Sequence, residues 1–324
     1  MNKENGLKLL RKTLNDSSAE FRDGQWEAID SLVNGRKKLL VVQRTGWGKS
    51  YVYFMSTKIL RDQGKGATII ISPLLALMRN QVEAAERLGV NAISINSSNK
   101  EDWESHKQSV MNNEVDALLI SPERLSNDEF MENILRPIAD RIGLFVVDEA
   151  HCISDWGHDF RPDYRRIVRI LQFMPKGMPV LATTATANDR VCDDIVSQLG
   201  DIEIIRGSLI RKSLILQNIK INDQASRLAW LKENIPNLPG SGIIYALTRR
   251  DALIVTKWLI ERGIEAAYYF SGATNDDFED SNEYRQFVEN ALYKNEIKVL
   301  VATSALGMGY DKPDMGFVVH YQAP

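Results

Sequence analysis

The sequence predicts an α/β protein of two tandem domains, each a parallel β-sheet flanked by helices, with the second domain incomplete. Three observations predict this. Short runs that are apolar at every position, such as Ile69-Ile70-Ile71 and Leu144-Phe145-Val146-Val147, alternate with segments of helical spacing. Strands buried on both faces read this way, and they belong to parallel sheets covered by helices. The alternation halts near Arg206 and restarts near Gly242. A chain of 324 residues also exceeds the usual size of one domain. The expected boundaries are residues 1–206 for the first domain, 207–213 for a linker and 214–324 for the second domain.

The elements follow in order. The first residues read as a short helix closed by Asn15-Asp16-Ser17-Ser18. Helical spacing at Trp26, Ile29 and Val33 precedes an apolar strand, Leu39 to Val42. A second helix follows from Lys49, with Val52, Met55 and Ile59 on one face. Thr68 to Ser72 is a strand, and Pro73 to Leu88 a helix stopped by Gly89. Ala117–Ile120, Leu144–Val147, Pro179–Ala182 and Ile202–Arg206 are further strands. Asn188 caps a helix to Leu199, and Gly200 ends it. In the second half, Gly242–Tyr245, Ala266–Phe270, Lys298–Ala302 and Phe317–His320 are strands. Thr248 and Asp251 open a helix that Gly263 stops, and another helix runs from about Asn282 to Tyr293. The sequence closes directly after a strand, where a parallel unit would continue into a helix.

Composition bounds the function. A hydrophobic content of 44% supports a sizeable core. The net charge is −3, from 40 basic and 43 acidic residues, so any nucleic-acid surface must be local. Two cysteines, Cys152 and Cys192, form neither a metal-binding spacing nor a disulfide framework. No run of 18 apolar residues is present, and no membrane partner is expected. The expected location is cytoplasmic, associated with the nucleoid in a bacterium.

Two stretches carry chemistry. Thr45-Gly46-Trp47-Gly48-Lys49-Ser50 lies between a strand and a helix. Glycines there let backbone N–H groups close around phosphates, and the helix N-terminus adds partial positive charge. Lys49 places a cation against the β- and γ-phosphates, and the Ser50 hydroxyl ligates Mg²⁺. Gln43 stands where the general pattern has its first glycine. The second stretch, Val146-Val147-Asp148-Glu149-Ala150-His151, puts two carboxylates at the end of a buried strand, where ligands of open α/β sheets sit. Asp148 suits Mg²⁺, directly or through water, and Glu149 suits a general base for an attacking water. Together they predict a catalytic site of Lys49, Asp148 and Glu149.

The run from Asp148 to Tyr164, with His151, Trp156, Phe160 and Arg161, closely resembles the DEAH box and aromatic-rich loop of RecQ-type DNA helicases. Further stretches resemble that family in its order: Phe21-Arg22 with Gln25; Ser72-Pro73-Leu74-Leu75-Ala76-Leu77-Met78; Ser121-Pro122-Glu123-Arg124-Leu125; Thr184-Ala185-Thr186-Ala187; Gly242-Ile243-Ile244-Tyr245; and Val301 to Pro313. The resemblance implies two RecA-like domains and an ATP-dependent helicase moving 3′ to 5′ on DNA, with ATP and Mg²⁺ as cofactors and single-stranded or partly duplex DNA as partner. It implies that Gln25, with Arg22 nearby, contacts adenine. Thr45, Gly46, Gly48, Lys49 and Ser50 would hold phosphates, and Ser50 and Asp148 the metal. His151, Thr184 and Thr186 would couple nucleotide state to the aromatic loop, where Trp156, Phe160 and Arg161 meet single-stranded DNA. Thr303, Gly307, Gly309 and Asp311 would lie near nucleotide and DNA at the domain interface.

Spacing alone leaves other readings open. Trp156 and Phe160, four residues apart, also suit a packed pair. The sequence departs from the family pattern at Trp47, whose side chain is expected to face the nucleotide mouth or the second domain, and at Phe270-Ser271. No Gln-x-x-Gly-Arg-x-Gly-Arg motif is present, so the arginine finger that the family takes from it has no counterpart among these residues. ATP binding is therefore the firmer expectation. An RNA-dependent ATPase of the same superfamily and a nucleotide-gated binding module without unwinding are the alternatives.

Overall fold

The computed structural model describes every residue except 74, 97–100, 102, 155–160, 210–213, 279, 307–309, 311, 313, 323 and 324. The chain divides into two compact units, Met1–Leu214 and Ile215–Pro324. Each is a helix-flanked parallel sheet, the α/β class read from the sequence.

The first unit begins with α1 (Lys3–Leu14) and α2 (Gln25–Val33). Then β1 (Lys38–Val42) leads into α3 (Lys49–Asp62), and β2 (Thr68–Ile71) into α4 (Leu75–Arg87). Next come β3 (Ala92–Ile95), α5 (Trp103–Met111) and β4 (Ala117–Ile120). Two single turns, α6 (Asp128–Phe130) and α7 (Arg136–Ile138), flank a π-helical turn before β5 (Leu144–Val147). The unit closes with α8 (Arg166–Phe173), β6 (Val180–Thr184), α9 (Asp189–Leu199) and β7 (Glu203–Arg206).

The seven strands lie in the order β3-β4-β2-β5-β6-β1-β7, and every pairing is parallel. Alternation along the strands splits the core into two layers. Leu40, Val42, Ile69, Ile71, Phe145 and Val147 pack on one face. Leu39, Val41, Ile70, Leu144 and Val146 pack on the other. Both faces are therefore covered, and the strand ends become the accessible edge. β1 and β5 are separated only by β6, which brings three loops of distant sequence position to one side of the sheet.

The sequence reading missed β3. It is an edge strand with a half-exposed centre at Ile93 and Ser94, so it lacks the fully apolar run of its neighbours. The cap at α9 is as expected: Asn188 accepts a hydrogen bond from the Val191 amide at 2.9 Å.

The second unit contains α10 (Gln224–Asn234), β8 (Ser241–Tyr245), α11 (Arg249–Ile260) and β9 (Ala266–Tyr269). It continues through α12 (Ser281–Tyr293), β10 (Val299–Ala302) and β11 (Met315–His320). Its sheet order is β11-β8-β10-β9, again parallel. Thr248 caps α11 by accepting from the Asp251 amide at 3.0 Å.

Candidate active site

The loop between β1 and α3 is built from α2 upward. Gly46 and Gly48 have φ of 79° and 96°, a region that costs other residues free energy. A side chain at Gly48 would lie 2.7 Å from Gln25 Nε2, so glycine there is also a matter of space. Gln25 is buried, and both ends of its amide are bonded, one to the loop and one to the segment just before α2. Its Nε2 donates to the Trp47 carbonyl at 2.9 Å, and its Oε1 accepts from the Arg22 amide at 2.9 Å. Arg22 Nη1 donates to the Gly46 carbonyl. The residues expected at adenine thus also brace the phosphate loop.

Trp47 corrects an expectation. It is buried, with Nε1 donating to the Asp23 carbonyl at 3.1 Å, and it packs into the first unit's core. Its indole anchors the loop from behind. Thr45 and Gly46, by contrast, are exposed.

The N-terminus of α3 is left open to an anion. Gly48 supplies no side-chain cap, and the first turn holds no acidic residue. Its N–H groups and the helix dipole are therefore available for phosphate. Lys49 Nζ donates to the Gln43 carbonyl at 3.1 Å, and its charge favours the ionised form of Asp148. The base of the loop is fixed to β6, because the Gln43 amide donates to the Thr184 carbonyl at 3.1 Å.

Asp148 is buried at the end of β5, and its amide donates to the Ile71 carbonyl at 2.9 Å. Three donors fix its carboxylate. Thr183 Oγ1 reaches Oδ1 at 2.6 Å, the Glu149 amide reaches Oδ1 at 3.1 Å, and Gln81 Nε2 reaches Oδ2 at 2.6 Å. Burial, followed by the Glu149 charge, nonetheless pushes its pKa up to about 6. Burial disfavours the ionised carboxylate, so a positive charge beside it is favourable, and Lys49 supplies one.

Glu149 takes a left-handed backbone, φ 50°, which is strained for a residue with a side chain. Its Oε2 lies 3.2 Å from His151 Nδ1. The same nitrogen lies 3.0 Å from Thr184 Oγ1 and 3.3 Å from Thr186 Oγ1. A carboxylate only accepts, so Nδ1 carries the proton in this arrangement. His151 thereby joins the end of β5 to the end of β6. Arg161 Nη1 donates to the Pro73 carbonyl at 2.9 Å, and it pairs with Glu123 at 3.8 Å.

In the second unit, Thr303 follows β10 and its amide donates to the Tyr269 carbonyl at 3.0 Å. Trp156, Phe160, Gly307, Gly309 and Asp311 lie outside the described residues. Gln81, Thr183 and Tyr53 were not anticipated at the site. Only Thr183 carried a signal, as the residue just before Thr184-Ala185-Thr186.

Comparison with known proteins places the chain among helicases. The family described as DEAD/DEAH box helicase matches residues 22–195, and the helicase conserved C-terminal domain matches residues 226–324. The chain is 36% identical over 310 residues to the ATP-dependent DNA helicase RecQ of Bacillus subtilis, covering 94% of this chain and 49% of that protein. It is 33% identical over 312 residues to the ATP-dependent DNA helicase hus2/rqh1 of Schizosaccharomyces pombe, covering 94% of this chain and 23% of that protein. It therefore spans about half the length, or less, of these relatives. Among solved structures, Saccharomyces cerevisiae Dbp5 bound to RNA and ADP BeF3 has a TM-score of 0.73 at 18% identity, covering 98% of this chain and 78% of that one. The Mycobacterium smegmatis helicase Lhr bound to ssDNA and AMP-PNP has a TM-score of 0.71 at 19% identity, covering 96% of this chain and 43% of that one. At such identities these two likenesses speak to the fold, which is that of RecA-like helicase cores. With more than half its length matched, together with the phosphate loop and the Asp148-Glu149-Ala150-His151 box, the chain belongs to the DEAD/DEAH box helicase family.

Proposed function

We propose that this chain is the motor part of an ATP-dependent DNA helicase of RecQ type, moving 3′ to 5′ along single-stranded DNA. The observation that carries the reading is the meeting of β1, β5 and β6. An uncapped glycine loop, a buried aspartate and a histidine-linked glutamate share one edge of the sheet. The likeness to RecQ helicases over 94% of the chain supports DNA as the track.

Each residue has a defined task in this scheme. Gly46, Gly48 and the first turn of α3 bind phosphate oxygens through backbone N–H groups. Lys49 leaves the Gln43 carbonyl and neutralises the terminal phosphate. Ser50 and Asp148 would hold Mg²⁺, which when bound would supply positive charge against the phosphates. Glu149 orients a water and accepts its proton. Arg22 and Gln25 meet the base end of the nucleotide while keeping the loop in shape.

His151 then makes nucleotide state legible elsewhere. Any movement of the Glu149 carboxylate changes the Nδ1 contact shared with Thr184, the last residue of β6, and Thr186 just after it. Trp156, Phe160 and Arg161 present stacking faces and a cation to single-stranded DNA, an interaction of about 1–3 kcal/mol per stacked base.

ATP turnover measured with single-stranded DNA and with RNA of the same sequence tests this. Greater stimulation by DNA supports the reading. Equal or greater stimulation by RNA overturns the DNA assignment. Strand displacement on a duplex with a 3′ tail, compared with a 5′ tail, tests the polarity.

A further inference from the structure

Gln81 is a buried amide on the core-facing side of α4, among apolar neighbours such as Met78 and Ala85. Its two N–H groups are fully assigned. One donates to Asp148 Oδ2 at 2.6 Å and the other to Tyr53 Oη at 2.9 Å. The carboxylate only accepts, which fixes the amide's orientation. Tyr53 lies one helical turn after Ser50 on α3 and is fully buried. Its hydroxyl has the Ser50 side chain as a hydrogen-bonding neighbour. Gln81 Oε1 is buried without a hydrogen-bond partner among the described residues. A buried acceptor without a partner is costly, yet the amide stands on this face of α4, where both its bonds lead towards the site.

We infer that Gln81, braced by Tyr53, is a positioning residue that holds the Asp148 carboxylate in register with Ser50 for a nucleotide-bound divalent cation. The inference rests on the nucleotide reading of the site. Outer partners of this kind orient metal ligands, and their loss typically costs about 10–100-fold in metal affinity or activity. Thr183 and the Glu149 amide fix Oδ1, and among the described residues Gln81 is the hydrogen-bond donor to Oδ2. α4 also links this contact to the strand end at Pro73, whose carbonyl is held by Arg161.

ATP affinity is measured calorimetrically in Mg²⁺ and in EDTA for the wild type, Gln81→Met and Tyr53→Phe. In Gln81→Met the gain in affinity that Mg²⁺ gives the wild type falls about 10-fold, while affinity in EDTA stays within about twofold. Tyr53→Phe loses less of the gain, because Asp148 still receives the amide. Tyr53→Phe removes one oxygen only and carries the test if Gln81→Met does not fold. A Mg²⁺ gain unchanged in both variants overturns the inference, as does an equal loss with and without Mg²⁺. A wild type that gains nothing from Mg²⁺ overturns the nucleotide reading itself, and the positioning role with it.

Discussion

His151 Nδ1 stands 3.2 Å from Glu149 Oε2 and 3.0 Å from Thr184 Oγ1, so one ring nitrogen touches both the candidate base and the end of β6. The contact holds the carboxylate that the proposed mechanism gives to water activation. Glu149→Gln removes the proton acceptor and leaves the phosphate loop intact. ATP binding is expected to stay at the wild-type level and turnover to fall about 10²–10⁴-fold. Steady-state hydrolysis beside equilibrium binding checks this, and normal turnover contradicts the role.

Asp148 gives a dependence on pH. Its folded pKa of about 6 lies above the ordinary carboxylate range, chiefly because of burial. The folded chain therefore binds the proton more tightly than the unfolded chain. The ionised group destabilises the fold in full above pH 6, and the penalty disappears as pH falls through the window from about 6 to about 4. Between pH 4 and pH 7.5 the stability of Asp148→Asn relative to the wild type is expected to shift in the variant's favour by at most about 3 kcal/mol in the metal-free proteins. Thermal unfolding of both proteins across the range measures it.

The two loop glycines separate strain from crowding. Gly46→Ala meets no atom within 4 Å but keeps a φ of +79°, for a cost of about 1–2 kcal/mol. Gly48→Ala carries similar strain and adds a contact of 2.7 Å with Gln25 Nε2. It is expected to lose more stability than Gly46→Ala and to break the Gln25 bond to the Trp47 carbonyl. Urea unfolding ranks the pair, and equal costs would show that the Gln25 contact relaxes freely.

Much of this was legible in the residues. The glycine loop before α3 and the Asp148-Glu149 pair were visible because each is a run of consecutive residues next to a strongly apolar strand. The interior strands were visible for the same reason, since burial on both faces leaves no polar position. β3 was not, because an edge strand tolerates Ser94 on its half-exposed face. Its position between two glycines points Trp47 to the nucleotide mouth or the second domain. Its burial depends on a bond to the Asp23 carbonyl, 24 residues away, which no local pattern encodes. Gln81 and Tyr53 escaped for a related reason. Gln81 is one polar residue among apolar neighbours on α4, Tyr53 is an aromatic residue within the buried face of α3, and only the sheet order brings them to Asp148.

Trp156→Ala tests the link to nucleic acid. The substitution removes a stacking face worth about 1–3 kcal/mol per base. It is expected to abolish stimulation of ATP turnover by single-stranded DNA while sparing ATP binding. Full stimulation in the variant would assign the residue to packing.

The most direct measurement is calorimetric titration of ATP with Mg²⁺ into the wild type and Lys49→Ala. The account predicts saturable binding by the wild type at one site. Removing the charge is predicted to weaken it by about 1.5–3 kcal/mol, some 10- to 100-fold, with the fold intact by circular dichroism. Equal affinity in the two proteins would contradict the assignment of Thr45 to Ser50 as the phosphate loop, and with it the motor built around that loop.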